Sequence, residues 1–173
     1  MHGRKGPKAD LTVAGTATKF LYSKGVPLVV AKDSRRRGED LKGSYRFGVC
    51  FDGSDSSVKA LNTVLSMAAD HDKITVVTCK EPLVDDAKMK DKVKELLGTR
   101  RHEHVVIERE VNHTIYQRIK QYLKDEMNDE NYIDFVAVGS KGAASAEKDT
   151  DDYIGSVATL VLQARQMNCI FVT

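Results

Sequence analysis

Ile133-Asp134-Phe135-Val136-Ala137-Val138-Gly139-Ser140-Lys141-Gly142, followed later by Gly155-Ser156, carries the reading of this chain. The apolar run has the character of a buried strand, the glycines that of a turn, and the residues after Ser156 that of a helix start. A strand running into glycines and then a helix N-terminus is how α/β folds build an anion site. Glycine lets the backbone come close to a phosphate, and the helix end offers N–H donors and the positive end of its dipole. Lys141 adds a mobile positive charge at the turn. Taken alone, two glycines after an apolar run are more often just a tight βα turn.

A second copy supplies context. Gly3-Arg4-Lys5-Gly6 is followed by Gly15-Thr16, a helical pattern over 17–23, a break at Gly25 and the strand-like Val26-Pro27-Leu28-Val29-Val30. Gly139-Ser140-Lys141-Gly142 is followed by Gly155-Ser156, a helical pattern over 157–166, a break at Asn168 and the strand-like Cys169-Ile170-Phe171-Val172. The same order of parts occurs twice, which is the signature of an internal repeat.

With these motifs the chain resembles the universal stress protein family, whose phosphate motif is GxxG, about nine residues, then Gly-Ser/Thr. The first strand of that family ends in Asp before a polar helix start, the shape of Phe47-Gly48-Val49-Cys50-Phe51-Asp52-Gly53-Ser54. Met1-His2-Gly3-Arg4-Lys5-Gly6 is similar to the HGRxG version of the loop. The resemblance covers 44–173 as one complete unit. It covers about 1–32 as the last third of a preceding tandem unit, so that 1–43 is a partial unit plus linker.

Length and composition fit that division. At 173 residues the chain suits one ordinary domain with an appendage. A net charge of +2 with 30% charged residues is a balanced surface and argues against nucleic acid as an obligate partner. No apolar run reaches membrane-span length and the first residues are polar, so neither a membrane segment nor a signal peptide is expected. Cys50, Cys79 and Cys169 lie in or beside strand-like runs without zinc-type spacing, which suits reduced, packing thiols in a cytoplasmic protein. Arg35-Arg36-Arg37 is followed at once by Glu39-Asp40 and reads as a solvated linker.

The elements of the complete unit alternate. Strands are expected at 45–51, 74–79, around 105–107, at 133–138 and at 169–172, with helices from 58, over 84–97, around 115–123 and over 157–166. The Gly53-Ser54-Asp55-Ser56 stretch supplies a turn and an N-cap. The expected fold is α/β, a doubly wound parallel five-stranded sheet of flavodoxin or adenine-nucleotide-hydrolase type. The resemblance implies strand order 3-2-1-4-5. Strand order then reverses between strands 1 and 4, where such sheets bind ligands. An extra edge strand from 27–31 is expected to pair antiparallel with 169–173, within the chain as a pseudo-dimer or between two chains as a homodimer.

The resemblance also implies a site. Cys50, Phe51 and Asp52 would meet base and ribose, and Cys79 would flank the adenine. Val138, Gly139, Lys141 and Gly142 would run along ribose and phosphates, and Gly155, Ser156 and Val157 would hold the outer phosphates. Asp52 and Ser156 are each equally suited to capping a helix. The ligand implied is ATP or a related adenine nucleotide, with Mg²⁺ as a possible companion. The spacer before Gly155 departs from the family by being longer and by carrying Glu147, Asp149, Asp151 and Asp152. Carboxylates near a phosphate weaken its binding unless a magnesium ion bridges them. His102 and His104 alternate and read first as an exposed strand end, second as a two-histidine metal site. No catalytic constellation stands out beyond slow ATP hydrolysis. The function expected is a stress-response adenine-nucleotide module acting through assembly or partner docking. The alternative is a dimerisation scaffold of the same fold that binds no nucleotide.

Overall fold

The computed structural model describes residues 26–32, 43–80, 86–110, 112–128, 133–143, 154–164 and 167–173. The Gly3–Gly6 and Gly15-Thr16 motifs, the 17–23 helix, Arg35–Arg37, Pro82, the helix start at 84–85 and the acidic residues Glu147, Asp149, Asp151 and Asp152 lie outside these residues.

Six strands and four helices occur among the described residues: β1 Leu28–Val30, β2 Arg46–Cys50, α1 Asp55–Met67, β3 Lys73–Lys80, α2 Ala87–Leu97, β4 His102–Glu108, α3 Ile115–Asn128, β5 Phe135–Gly139, α4 Ser156–Gln163 and β6 Asn168–Val172. The sheet order is β1-β6-β5-β2-β3-β4. Strands β2 to β6 are mutually parallel, in the order expected for the complete unit. Strand β1 is the expected extra edge strand, paired antiparallel and within the chain, with Leu28 opposite Phe171 and Val30 opposite Cys169.

Alternation along the buried strands splits the core in two. Cys50, Val77, Val136, Val138, Cys169 and Phe171 face one side and pack with Ile119 and Leu123 of α3 and Ala158 and Val161 of α4. Phe47, Val49, Ile74, Val76, Ala137, Ile170 and Val172 face the other and pack with Ala60, Leu61 and Val64 of α1 and Val93 and Leu97 of α2. Helices on both faces of a parallel sheet explain why its strands read as nearly continuous apolar runs.

Local chemistry sets the helix ends. Ser54 caps α1, its hydroxyl accepting from Ser57 N at 3.3 Å. Thr114 and Gln117 form a reciprocal capping box at α3, with bonds of 2.7 and 3.2 Å. Gly98 ends α2 at φ 56°, a left-handed value that favours glycine. Asp86 precedes α2 and pairs with Lys90 at 2.9 Å, which holds its carboxyl below the usual range. Several element bounds differ from the sequence expectation. Among the described residues α2 starts at Ala87 rather than 84, and α4 stops at Gln163 rather than running to 166. Ala164 already has extended backbone (ψ 110°) as the C-cap of α4.

The end of α4 has an unexpected partner. Lys32, just past β1, places its ammonium on the carbonyls of Val161, Leu162 and Ala164, at 3.0, 2.6 and 3.1 Å. Its own N–H donates to Asn168 Oδ1 at 2.7 Å. A cation on the last carbonyls of a helix satisfies orphan acceptors and opposes the negative end of the dipole. Lys32→Met keeps the apolar stem and removes the ammonium. It is expected to cost about 1–2 kcal/mol in urea unfolding, with faster amide exchange at Leu28–Val30.

The histidines of β4 are tied to the protein. His102 Nδ1 lies 2.8 Å from Arg100 O, and His104 Nε2 lies 2.9 Å from Thr78 Oγ1. Burial, with Lys90 and His102 nearby, lowers the His104 pKa. Both residues are half-buried, so neither is the exposed strand end expected. Among the described residues no group of three or more His, Cys, Asp or Glu side chains is placed to hold a metal.

Candidate functional site

The sheet order reverses between β2 and β5, and beyond their carboxyl ends a cavity of about 420 Å³ opens. It is lined by all eleven residues singled out from the sequence: Cys50, Phe51, Asp52, Cys79, Val138, Gly139, Lys141, Gly142, Gly155, Ser156 and Val157. The ends of parallel strands β2, β3 and β5 bring Cys50–Asp52, Cys79 and Val138–Gly142 to one level. The return of α4 over the sheet brings the last.

The inner wall is apolar. Cys50, Val77, Cys79, Ile119 and Val138 surround it, and the exposed Ile115 adds to the lining. Burial, and secondarily the charge of Asp52, pushes the Cys50 thiol up to about 12, so it stays protonated. Cys50 and Cys169 are buried as expected of packing thiols, whereas Cys79 is only half-buried at the cavity. The mouth is polar. Asp52, Ser54 and Lys141 lie there together with the backbone of the glycine turn, while Ser57 is buried.

Two glycines are fixed by geometry. Gly53 has φ 80°. Gly139 faces the start of α1 so closely that a Cβ there would lie 2.6 Å from the Ser56 carbonyl carbon. The turn beyond Gly139 is held from three sides. Ser140 N donates to Val172 O at 2.8 Å, and Gly155 N donates to Ser140 O at 2.8 Å. Ser56 Oγ donates to Lys141 O. Helix α4 therefore starts against this turn. Its first helical bond is Thr159 N to Gly155 O, 2.9 Å, so the Ser156, Val157 and Ala158 amides belong to the first turn, where helices present donors.

Two capping alternatives resolve. Ser54, not Asp52, caps α1. Asp52 instead accepts from Ser54 N (3.1 Å), Ser54 Oγ (2.6 Å) and, across the crevice, Ala143 N (2.7 Å). The N-cap position of α4 is Gly155, leaving Ser156 as the first helical residue. The sequence did not single out Ser54, Ser57, Val77, Ile115, Ile119, Ala143 or Ala158 for the cavity. Ile115 and Ile119 share an apolar stripe with core residues, so periodicity assigns them to packing; only the position of α3 at the crevice shows their second role.

The arrangement offers an apolar slot of ordinary ligand-site size (about 300–1,000 Å³) beside a glycine turn, a lysine and a helix N-terminus. That combination is an α/β fold with a crevice at the point where the strand order reverses. No family model matches the sequence, and no curated protein matches it. Solved structures do match. The universal stress protein UspA from Lactobacillus plantarum is 15% identical with a TM-score of 0.52, over 76% of this chain and 100% of that one. A universal stress protein from Archaeoglobus fulgidus is 15% identical with a TM-score of 0.53, over 82% and 100%. A universal stress protein in complex with cAMP is 19% identical with a TM-score of 0.50, over 75% and 96%. This chain has the universal stress protein fold. No helix among the described residues is long and apolar enough to cross a membrane.

Proposed function

We propose that the chain is a stress-response module that binds an adenine nucleotide in the crevice between β2 and β5, and that binding alters its assembly or the docking of a partner. The observation that carries this is the meeting of the apolar slot, the Gly139–Gly142 turn and the start of α4 in one cavity. In this reading the slot takes the base, with Cys50 and Cys79 against it. Asp52 serves the ribose, and Lys141 with the Ser156 and Val157 amides serves the phosphates. That a neighbour of the same fold is in complex with cAMP supports an adenine ligand. ATP, with magnesium to offset the acidic 147–152 stretch, is the form proposed. The complete unit is 44–173, and 1–43 is a partial unit and linker whose strand covers the edge of β6.

Thermal unfolding with and without Mg-ATP tests this. At a hundred times Kd, binding adds about 2.7 kcal/mol, which raises Tm by roughly 5–11 °C for a chain of this size. GTP should give no such shift. Ser156→Asp places a carboxylate at the start of α4, where the dipole favours it for stability while it repels a phosphate. That variant is expected to fold at least as stably and to lose the ATP shift. No shift in the parent chain would favour the alternative, a scaffold of the same fold without nucleotide.

A further inference from the structure

We propose that the Asp52–Ala143 hydrogen bond is an autoinhibitory clasp on the glycine turn, released by ligands that bring an anion and a sugar hydroxyl together. The inference rests on the anion-binding reading of that turn. Asp52 and Ala143 are 91 positions apart in sequence, and their bond of 2.7 Å ties the loop after β2 to the loop after β5. A second tie lies beside it, from the Ser56 hydroxyl to Lys141 O, with Ser54 Oγ 3.4 Å from the same oxygen. The loop after β2 and the start of α1 thus grip two positions of the turn, Ala143 and Lys141.

The lone-pair count of Asp52 gives the clasp its selectivity. A carboxylate offers about four acceptor positions. Three are engaged, two by Ser54 N and Oγ on Oδ1 and one by Ala143 N on Oδ2. Asp52 therefore acts on the Ala143 amide as a tethered anion. A phosphate seeking that amide must displace the carboxylate and then sit beside its charge. A sugar hydroxyl seeking the carboxylate finds one position open on Oδ2 and gains the rest only when Ala143 lets go. A nucleotide exchanges both partners at once: its phosphate takes the amide while its hydroxyl takes the carboxylate. Phosphate alone leaves an uncompensated like charge, and nucleoside alone leaves the amide held. The clasp favours whole nucleotides over either half.

Calorimetric titration of the full chain with pyrophosphate, and separately with adenosine, tests this in the parent, Asp52→Asn and Asp55→Asn proteins. Asp55 is an exposed carboxylate in the first turn of α1 and makes no part of the clasp, so Asp55→Asn reports the plain effect of removing a nearby charge. Asp52→Asn is expected to bind pyrophosphate about five-fold tighter and adenosine about five-fold weaker, the size of one net hydrogen bond. Asp55→Asn should change either affinity by no more than about two-fold. Equal pyrophosphate affinity in the parent and Asp52→Asn, or an equal gain in Asp55→Asn, overturns the clasp while leaving the nucleotide site standing. Binding of neither probe by any of the three proteins overturns the nucleotide site and the clasp with it.

Discussion

Gly139→Ala is expected to destabilise the protein by about 3 kcal/mol or more, at the upper end of what overpacking costs. The added methyl would sit 2.6 Å from the Ser56 carbonyl carbon and 2.8 Å from its Cβ. Neither neighbour is the far end of a flexible side chain. Ser56 belongs to the first turn of α1, whose next residues Ser57, Ala60 and Leu61 are buried, so the helix cannot tilt away without opening the core under it. Strand β5 cannot retreat either, being paired with β2 and β6 on both sides. Urea unfolding would show the loss as a lower midpoint at unchanged slope. Gly155→Ala is the control: a Cβ there meets Ser140 O at 3.4 Å, an ordinary contact. Its expected cost is about 1 kcal/mol, the loss when alanine replaces a favoured residue at a helix N-cap. Equal losses in the two variants would show that the crevice is not held by the approach of α1 to β5.

Phe171→Ala is expected to cost about 3–5 kcal/mol, the range for deleting a fully buried aromatic side chain. Phe171 is 1% exposed. In register it stands between Leu28 of β1 and Val138 of β5, so its ring joins the edge strand to the strand that ends in the glycine turn. Leu28 and Val30 pack on the same cluster, while Val29 on the opposite face is 45% exposed. The edge strand therefore holds to the sheet by one apolar face, its backbone pairing and Lys32. Loss of the ring should accelerate amide exchange at Leu28–Val30 beyond the global effect. A variant with full protection there would show that Lys32 and the backbone ladder suffice.

The sequence made the parallel sheet legible because each of its strands carries an apolar run and is separated from the next by a helix-length stretch. Strand order was not readable from periodicity. It came with the resemblance carried by the glycine turns, and the pairing of 28–30 with 169–171 followed from the repeat. The eleven site residues reach one cavity because strand ends and helix starts at a switch point converge whatever the loops do. Details that depend on contact between distant loops were not legible. Nothing local to Asp52 indicates that it accepts from Ala143 rather than capping α1. Nothing local to Lys32 indicates three carbonyls at the end of α4. Flexible polar side chains choose among several partners, and only the folded geometry decides.

The antiparallel pair at the sheet edge has a kinetic consequence. Val30 and Cys169 are 139 positions apart, so β1 is synthesised early and must wait for β6 to find its partner. Closing so long a loop is entropically costly and yields no reward until the ends meet, which places the joining of β1 and β6 late in folding. Ser140, in the glycine turn, is itself anchored to Val172 of β6. The crevice therefore acquires its final shape only when β6 joins the sheet beside β5.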